Sequence, residues 1–347
     1  MLDDFQQDID NDQEDKYESY ANAFSDRKGH RERRPAADTH QTSRKLFQKR
    51  KTNRQITEAA NATIADSDVV TTYKPSKYEA TWLLSSLQGF FEQSMITDVL
   101  AIVKGGKEAS VYRCKADHST GEEFLAAKIY RPRMFRSLSN DQMYREGREI
   151  LTADGSSVKT SDHRIMRAIG KKSGFGVQAS HTSWLMHEYT TLEHLYKLGA
   201  AVPQPMATTE NGILMSYIGD GQTAAPPLCN VKLERDEAAA LFDEVMRNIE
   251  LMLRNDMIHG DLSAYNILYW EGAITLIDFP QVSNSRANSN AYFILQRDVT
   301  RICDYFAHQG IRADASVIVE RLWDRYGQAD QRAELLDDLD DSDDLLD

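Results

Sequence analysis

The stretch "IHGDLSAYNILYW", residues 258–270, sets a carboxylate, Asp261, and an amide, Asn266, five positions apart at the start of an apolar run. A carboxylate can orient a hydroxyl or accept its proton, and an amide oxygen five residues on can return to the same space as a cation ligand. A second carboxylate, Asp278, ends the apolar run of "TLIDFP", where a strand tip would expose it. The three together suit phosphoryl transfer, in which the protein mostly positions groups and neutralises charge. Each also has an ordinary reading: a polar turn for Asp261 and Asn266, a cap or turn for Asp278.

Phosphoryl transfer further requires a cradle for the phosphates, and a lysine on them that is itself held by an acid. The cradle candidate is Gly105-Gly106, followed by Lys107, in "VKGGKEASVY" between two predicted strands. Glycines let backbone N–H groups approach phosphate oxygens closely. Any hairpin can carry Gly-Gly, however, and the segment is not G-x-G-x-x-G. The lysine candidate is Lys128 in "LAAKIY". An ammonium among apolar strand residues is costly unless paired, although an exposed edge strand would also tolerate it. Its partner candidate is Glu188, on a helical segment spanning 184–198. A strand lysine preceding a helix glutamate is the order that phosphate positioning needs, and all five features appear in order along the chain.

The elements that would carry these residues follow from periodicity. Trp82, Leu83, Leu87, Phe90 and Phe91 form one stripe of a helix over 80–95. "DVLAIVKGGKEASVYRCKA" reads as strand, glycine turn, strand, and "GEEFLAAKIYRP" as a third strand ended by Pro132. Residues 134–180 read as a flexible polar insert with room for a short helix. Gly199 suits the C-terminal cap of the Glu188 helix. "VPQPMATTENGILMSYIGDG" predicts two short strands around Asn-Gly, then a hinge. Leu241, Val245, Ile249, Met252 and Leu253 recur at helical spacing, and two more helices close the chain. The fold class is therefore α+β, with a small β-rich lobe (76–218) and a larger, mainly helical lobe (219–330).

Charge is distributed in blocks within a net of −13. Residues 1–20 carry eight acids against Lys16, residues 27–54 carry eleven Lys and Arg against Glu32 and Asp38, and residues 334–347 carry eight acids and no base. Such blocks predict disordered ends, 1–75 and 331–347, rather than folded faces. The basic segment 27–54 could neutralise nucleic-acid phosphates or simply be a solvated tail. Cys114, Cys229 and Cys303 show no paired spacing, which argues against a disulfide or zinc framework. No apolar run reaches 18 residues, so no membrane partner is expected and the cytoplasm is the expected compartment.

From about residue 80 to about 325, the combination resembles the RIO family of atypical serine/threonine protein kinases, within the protein-kinase-like superfamily. "GGKEASVY" resembles that family's short phosphate loop and "KIYRP" its strand lysine. "EYTTLEHLYKLGAAVPQP" resembles its glutamate helix, "LMSYIG" its hinge, "HGDLSAYNILY" its catalytic loop and "IDFPQV" its metal-binding turn. The resemblance implies a two-lobed kinase fold, with ATP and Mg2+ (or Mn2+) as cofactors. It implies Asp261 as the catalytic aspartate, Asn266 and Asp278 as metal ligands, and Lys128 with Glu188 as the phosphate-anchoring pair. Gly105, Gly106 and Lys107 would meet the phosphates. Val111, Ala126 and Met215 would line the adenine pocket, and the Ser216 and Ile218 backbone would meet adenine. An aspartyl-phosphate on Asp278 is also implied, which would make ATP hydrolysis an outcome. Gly260 stands where ordinary protein kinases have an arginine that pairs with a phosphorylated activation loop, so no such switch is expected. Asp298 reads equally as an anchor for the catalytic loop or as a surface acid, and His259 as a brace. The protein acceptor is unspecified, with autophosphorylation expected, and the basic segment could engage rRNA or a pre-ribosomal particle. The RIO subfamily stays open. Two other readings remain, a small-molecule phosphotransferase of the aminoglycoside or choline type, and an ATP-gated RNA- or ribosome-binding assembly factor.

Overall fold

The computed structural model describes residues 71–106, 108–131, 144, 146–159, 162–171 and 173–327, all within one compact unit of the chain, 59–347. The basic segment 27–54, Lys107 and the acidic segment 331–347 lie outside the described residues.

The smaller lobe opens with helix α1 (Lys77–Glu92). Ser76 caps it by a reciprocal capping box: its hydroxyl accepts from Glu79 N at 3.4 Å, and Glu79 Oε2 accepts from Ser76 N at 3.2 Å. This cap moves the start ahead of the 80–95 expected from the apolar stripe. The end comes earlier because the chain reverses at Ser94, whose φ is 52°. Strands β1 (Ile96–Gly105), β2 (Ala109–Ala116), β3 (Phe124–Tyr130), β4 (Pro205–Thr208) and β5 (Gly212–Ser216) form one antiparallel sheet in the order β1-β2-β3-β5-β4.

Alternation divides the sheet's residues between two faces. Tyr112, Cys114, Leu125, Ala127, Ile129 and Leu214 pack with Leu83, Leu87 and Phe90 of α1. The opposite face carries Val111, Ala126, Lys128, Ile213 and Met215. The register pairs Val111 with Lys128, Lys128 with Ile213, and Ala126 with Met215.

Helix α2 (His163–Gly170) and helix α3 (Gly174–Lys197) form a tight hairpin. Gly176 makes it possible: a Cβ there would lie 1.9 Å from the Ala168 carbonyl oxygen. Ser173 caps α3, so the helix begins at Gly174 and not near Trp184. The expected insert 134–180 thus contains α2 and the first turns of α3. The C-terminal end of α3 is a Schellman motif, with Gly199 N donating to Tyr196 O and Ala200 N to Leu195 O, both at 3.0 Å, and Gly199 at φ 77°. Trp184, Leu185 and Met186 of α3 pack with Tyr130 and Ile213 of the sheet, while Leu192 and Leu195 enter the core of the larger lobe.

The larger lobe comprises α4 (Arg235–Arg254), β6 (Met257–Ile258), β7 (Ile267–Trp270), β8 (Ala273–Leu276), β9 (Ser283–Asn284), α5 (Ala291–His308) and α6 (Ala315–Tyr326). The five apolar residues singled out on α4 are all buried, against Ile294, Val299, Ile302 and Phe306 of α5 and Trp323 of α6. The β7–β8 hairpin buries Ile267, Ile274 and Leu276 in this core, and the turn after it brings Asp278 to Lys128 of the smaller lobe's sheet. Among the described residues, no helix is long and apolar enough to cross a membrane.

Phe90 is fully buried between α1 and the sheet, whereas Phe175 is 53% exposed. Phe90→Ala is expected to lower the unfolding free energy by about 3–5 kcal/mol, and Phe175→Ala by less than about 0.5 kcal/mol, in urea denaturation.

Candidate active site

Strand β3 drives Lys128 between the lobes, where its side chain keeps only 12% exposure. Its Nζ lies 2.6 Å from Glu188 Oε1 on α3 and 2.5 Å from Asp278 Oδ1 after β8. Burial works against the ammonium, but the Asp278 and Glu188 carboxylates outweigh it and hold the Lys128 pKa well above the ordinary lysine value. Burial likewise pushes the Asp278 carboxyl up, and Lys128 overcomes that push and holds it below the usual range. Tyr130, two residues along the same strand, donates its hydroxyl to Glu188 Oε2. Burial, and then the Glu188 carboxylate, raise its pKa and keep it a donor. Tyr130 also stacks edge-on against Trp184, with centroids 4.6 Å apart. Glu188 therefore has both oxygens engaged by residues of β3.

Asp278 has φ 73°, a left-handed backbone that non-glycine residues rarely adopt. Its neighbours hold it there. Ile277 N donates to Asn266 O at 2.9 Å, and His259 Nε2 meets Ile277 O at 3.1 Å. His259 Nδ1 in turn accepts from Asp261 N at 3.3 Å, which assigns the proton to Nε2. The ring packs on Phe279 at 4.9 Å. His259 is thus a brace between the catalytic loop and the Asp278 turn.

The Asp261 side chain is 41% exposed, and its Oδ1 pairs with Arg301 Nη1 at 3.0 Å. Burial of the loop raises its carboxyl above the usual range, against the pull of Arg301. The Asn266 amide NH2 donates to Asp261 O at 2.9 Å and Oδ2 at 3.2 Å, and the residue is buried. One amide oxygen and one carboxylate, completed by phosphate oxygens and water, make a donor set that suits a hard divalent cation. Among the described residues no cluster of three His, Cys, Asp or Glu could hold a metal by itself.

Gly260 has φ 83°, and a Cβ there would lie 2.2 Å from the Gln281 carbonyl oxygen. Its peptide groups are gripped by consecutive residues of α5: Gly260 N donates to Asp298 Oδ2 at 2.8 Å, and Arg297 Nη2 donates to Gly260 O. Asp298, buried, is therefore the anchor of the catalytic loop and not a surface acid.

In the β1–β2 turn, Gly106 N donates to Ala109 O at 2.9 Å, and a Cβ on Gly106 would sit 2.8 Å from that oxygen. The β1–β2 turn therefore has room only for glycine at 106. Gly105 is exposed at the end of β1. Val111, Ala126 and Met215 share the face of Lys128, as an adenine pocket needs. At the hinge, Ser216 N donates to Gln204 O at 2.8 Å and Ala225 N to Ile218 O at 3.0 Å.

The structure thus brings Lys128, Glu188 and Asp278 into direct contact and ties Asp261 and Asn266 to the Asp278 turn through His259 and Ile277. Tyr130, Arg297 and Arg301 were not singled out in the sequence. Tyr130 had a usable signal, since two residues along a strand return to the same face. Arg297 and Arg301, four apart on α5, gave none, because nothing in the chain says which helix face meets the catalytic loop.

A small antiparallel sheet over a helical lobe, with a buried Lys–Glu pair and two carboxylates at the interlobe cleft, defines a protein-kinase-like fold. The sequence model of the RIO domain matches residues 110–318, and the chain belongs to the RIO family. It is 28% identical over 218 residues to the RIO-type serine/threonine-protein kinase Rio1 of Haloferax volcanii, covering 63% of this chain and 66% of that protein. It is 31% identical over 201 residues to the RIO-type serine/threonine-protein kinase Rio1 of Thermoplasma acidophilum, covering 58% and 94%. It is 34% identical over 157 residues to the serine/threonine-protein kinase RIO2 of Caenorhabditis elegans, covering 42% and 28%.

Two measurements follow. Gly260→Ala must take the left-handed backbone and displace the Gln281 carbonyl, so it is expected to destabilise by at least about 2 kcal/mol in thermal or urea denaturation. His187 on α3 meets Val282 O at 3.1 Å, and burial together with Arg148 pushes its pKa down to about 4. The unfolded chain then binds the proton more readily, so this contribution is complete above about pH 6.5 and is lost as pH falls toward 4. The fall in urea midpoint over that window should be flatter in His187→Gln.

Proposed function

We propose that this chain is an ATP-dependent serine/threonine protein kinase that transfers the γ-phosphoryl group with Mg2+. One observation carries the reading: Lys128 bridges Glu188 and Asp278 across the lobes, while the Asn266 amide bonds Asp261 and the Asn266 carbonyl accepts from Ile277 beside Asp278. Lys128 would hold the α- and β-phosphates, with Glu188 and Tyr130 fixing its direction. Asn266 and Asp278 would hold the metal, which supplies charge neutralisation at the phosphates. Asp261 would face the acceptor hydroxyl and take its proton, a role that its raised carboxyl pKa favours. The Gly105-Gly106 turn and Lys107 would meet the phosphates. Val111, Ala126 and Met215 would enclose adenine. The backbone of Ser216 and Ile218 would meet adenine at the hinge, where Ser216 N and Ile218 O already have protein partners.

Relatives named as serine/threonine kinases support this reading, and the chain spans 66% and 41% of the length of two of them. A second outcome is supported by the 42% exposure of Asp278 beside the phosphate lysine. Asp278 could itself accept the phosphoryl group and pass it to water, which would make the protein an ATPase. A role in ribosome small-subunit maturation, through the basic segment 27–54, is a further proposal that rests on the family resemblance alone.

ATP turnover and autophosphorylation with Mg2+ test the assignment. Asp261→Ala, Asp278→Ala and Lys128→Ala should each reduce turnover by about 100-fold or more. Unchanged turnover in Asp278→Ala would remove the metal assignment. Phosphorylation of aminoglycosides or choline in place of protein would replace the kinase reading by the small-molecule one.

A further inference from the structure

Tyr144 and residues 146–148 run from the smaller lobe's insert onto the larger lobe, and their contacts converge on the catalytic loop. Tyr144 is buried. Its hydroxyl accepts from Arg297 Nη1, and the guanidinium lies 5.5 Å from its ring centroid. The same guanidinium donates to Gly260 O, the peptide oxygen next to Asp261. Three further contacts hold the segment. Ser283 Oγ donates to Tyr144 O at 3.4 Å, Ser289 Oγ to Glu146 Oε2 at 2.8 Å, and Arg148 Nη2 to Val282 O at 2.8 Å. Gly147 lies so close to Ala287 that a Cβ would sit 2.7 Å from the Ala287 carbonyl oxygen.

An ordinary protein kinase steadies this loop with an arginine at the position of Gly260, paired with an activation-loop phosphate. Here the arginine comes from α5, and its neutral partner comes from the insert. We propose that Tyr144 is a positioning residue: acting through Arg297, it fixes the Gly260 peptide and hence the direction of Asp261, so that the seating of Tyr144 and residues 146–148 on the larger lobe completes the active site without phosphorylation. The hydroxyl holds one guanidinium nitrogen and the ring flanks the cation, while the other terminal nitrogen is shared between Gly260 O and Asp298 Oδ1, the latter at 3.1 Å. Without the hydroxyl, the guanidinium keeps only Asp298 Oδ1 as a fixed partner and can pivot about it, so the left-handed glycine peptide, held at its other end by Asp298 Oδ2, regains freedom. The phosphate side of the site, Lys128 with Glu188, has no part in this chain of contacts.

The inference rests on the kinase reading only for its effect on turnover, so it is tested by two readouts. Tyr144→Phe keeps the buried ring and removes the hydroxyl. Hydrogen exchange of the amides in 259–262 should accelerate about ten-fold in this variant, while exchange in α1 stays unchanged. In the same protein kcat for phosphoryl transfer should fall about ten-fold, with the KM for ATP and the affinity for ADP unaltered. Tyr144→Phe combined with Arg297→Lys should lose no more than Arg297→Lys alone, because the two lie on one path. Unchanged exchange at 259–262 overturns the proposal whether or not the protein phosphorylates anything. Accelerated exchange in Tyr144→Phe, together with no turnover in the wild type, would keep the role of Tyr144 and reject the kinase reading. A uniform rise in exchange across both lobes, or a change in KM for ATP equal to that in kcat, would reduce Tyr144 to an ordinary packing residue.

Discussion

The interior ammonium of Lys128 is the constraint on which the rest of the site depends. A charge held this far from water is tolerated only with compensating carboxylates at contact distance, and two are supplied, from α3 and from the turn after β8. Those carboxylates belong to different parts of the chain, so satisfying one lysine fixes the helix against the sheet and the Asp278 turn against both. The left-handed backbone of Asp278 is held in the same way. Ile277, Asn266 and His259 bond its neighbours, so the strain at one residue is spread over the loop that carries Asp261.

Helix α3 serves two cores. Its middle turns pack on the sheet and its later turns enter the helical lobe. Glu188 lies between those contacts, which is why a carboxylate on an amphipathic helix ends up facing a strand lysine. The hairpin with α2 extends the same helix backward, and Gly176 permits the approach by lacking a side chain. Local sequence therefore acts on the site at a distance, through the direction of one rigid rod.

Much of this was readable before any coordinates. Period-two and period-3.6 patterns located the strands and the long helices, and the order of Lys128, Glu188, Asp261, Asn266 and Asp278 pointed to their shared chemistry. What remained hidden has physical causes. The start of α3 depends on a serine cap and a helix crossing at Gly176, neither of which alters the hydrophobic pattern. The roles of Arg297, Arg301 and Tyr144 depend on which face of α5 meets the loop and on where an insert of weak periodicity docks. Both are settled by tertiary packing, which overrides anything spacing can express. Asp298 illustrates the boundary: its type was visible, but only burial distinguishes an anchor from a solvated acid.

Gly260 bears on the history open to this sequence. An arginine there would have to adopt a positive φ and clear a carbonyl oxygen 2.2 Å from its Cβ. The loop would have to be re-threaded and the grip of α5 released before the new side chain could be useful. No single substitution therefore leads from this architecture to phosphate-gated control, and the intermediates would be poorly folded. The two ways of steadying such a loop exclude each other at this position, and what separates them is the width of a methyl group.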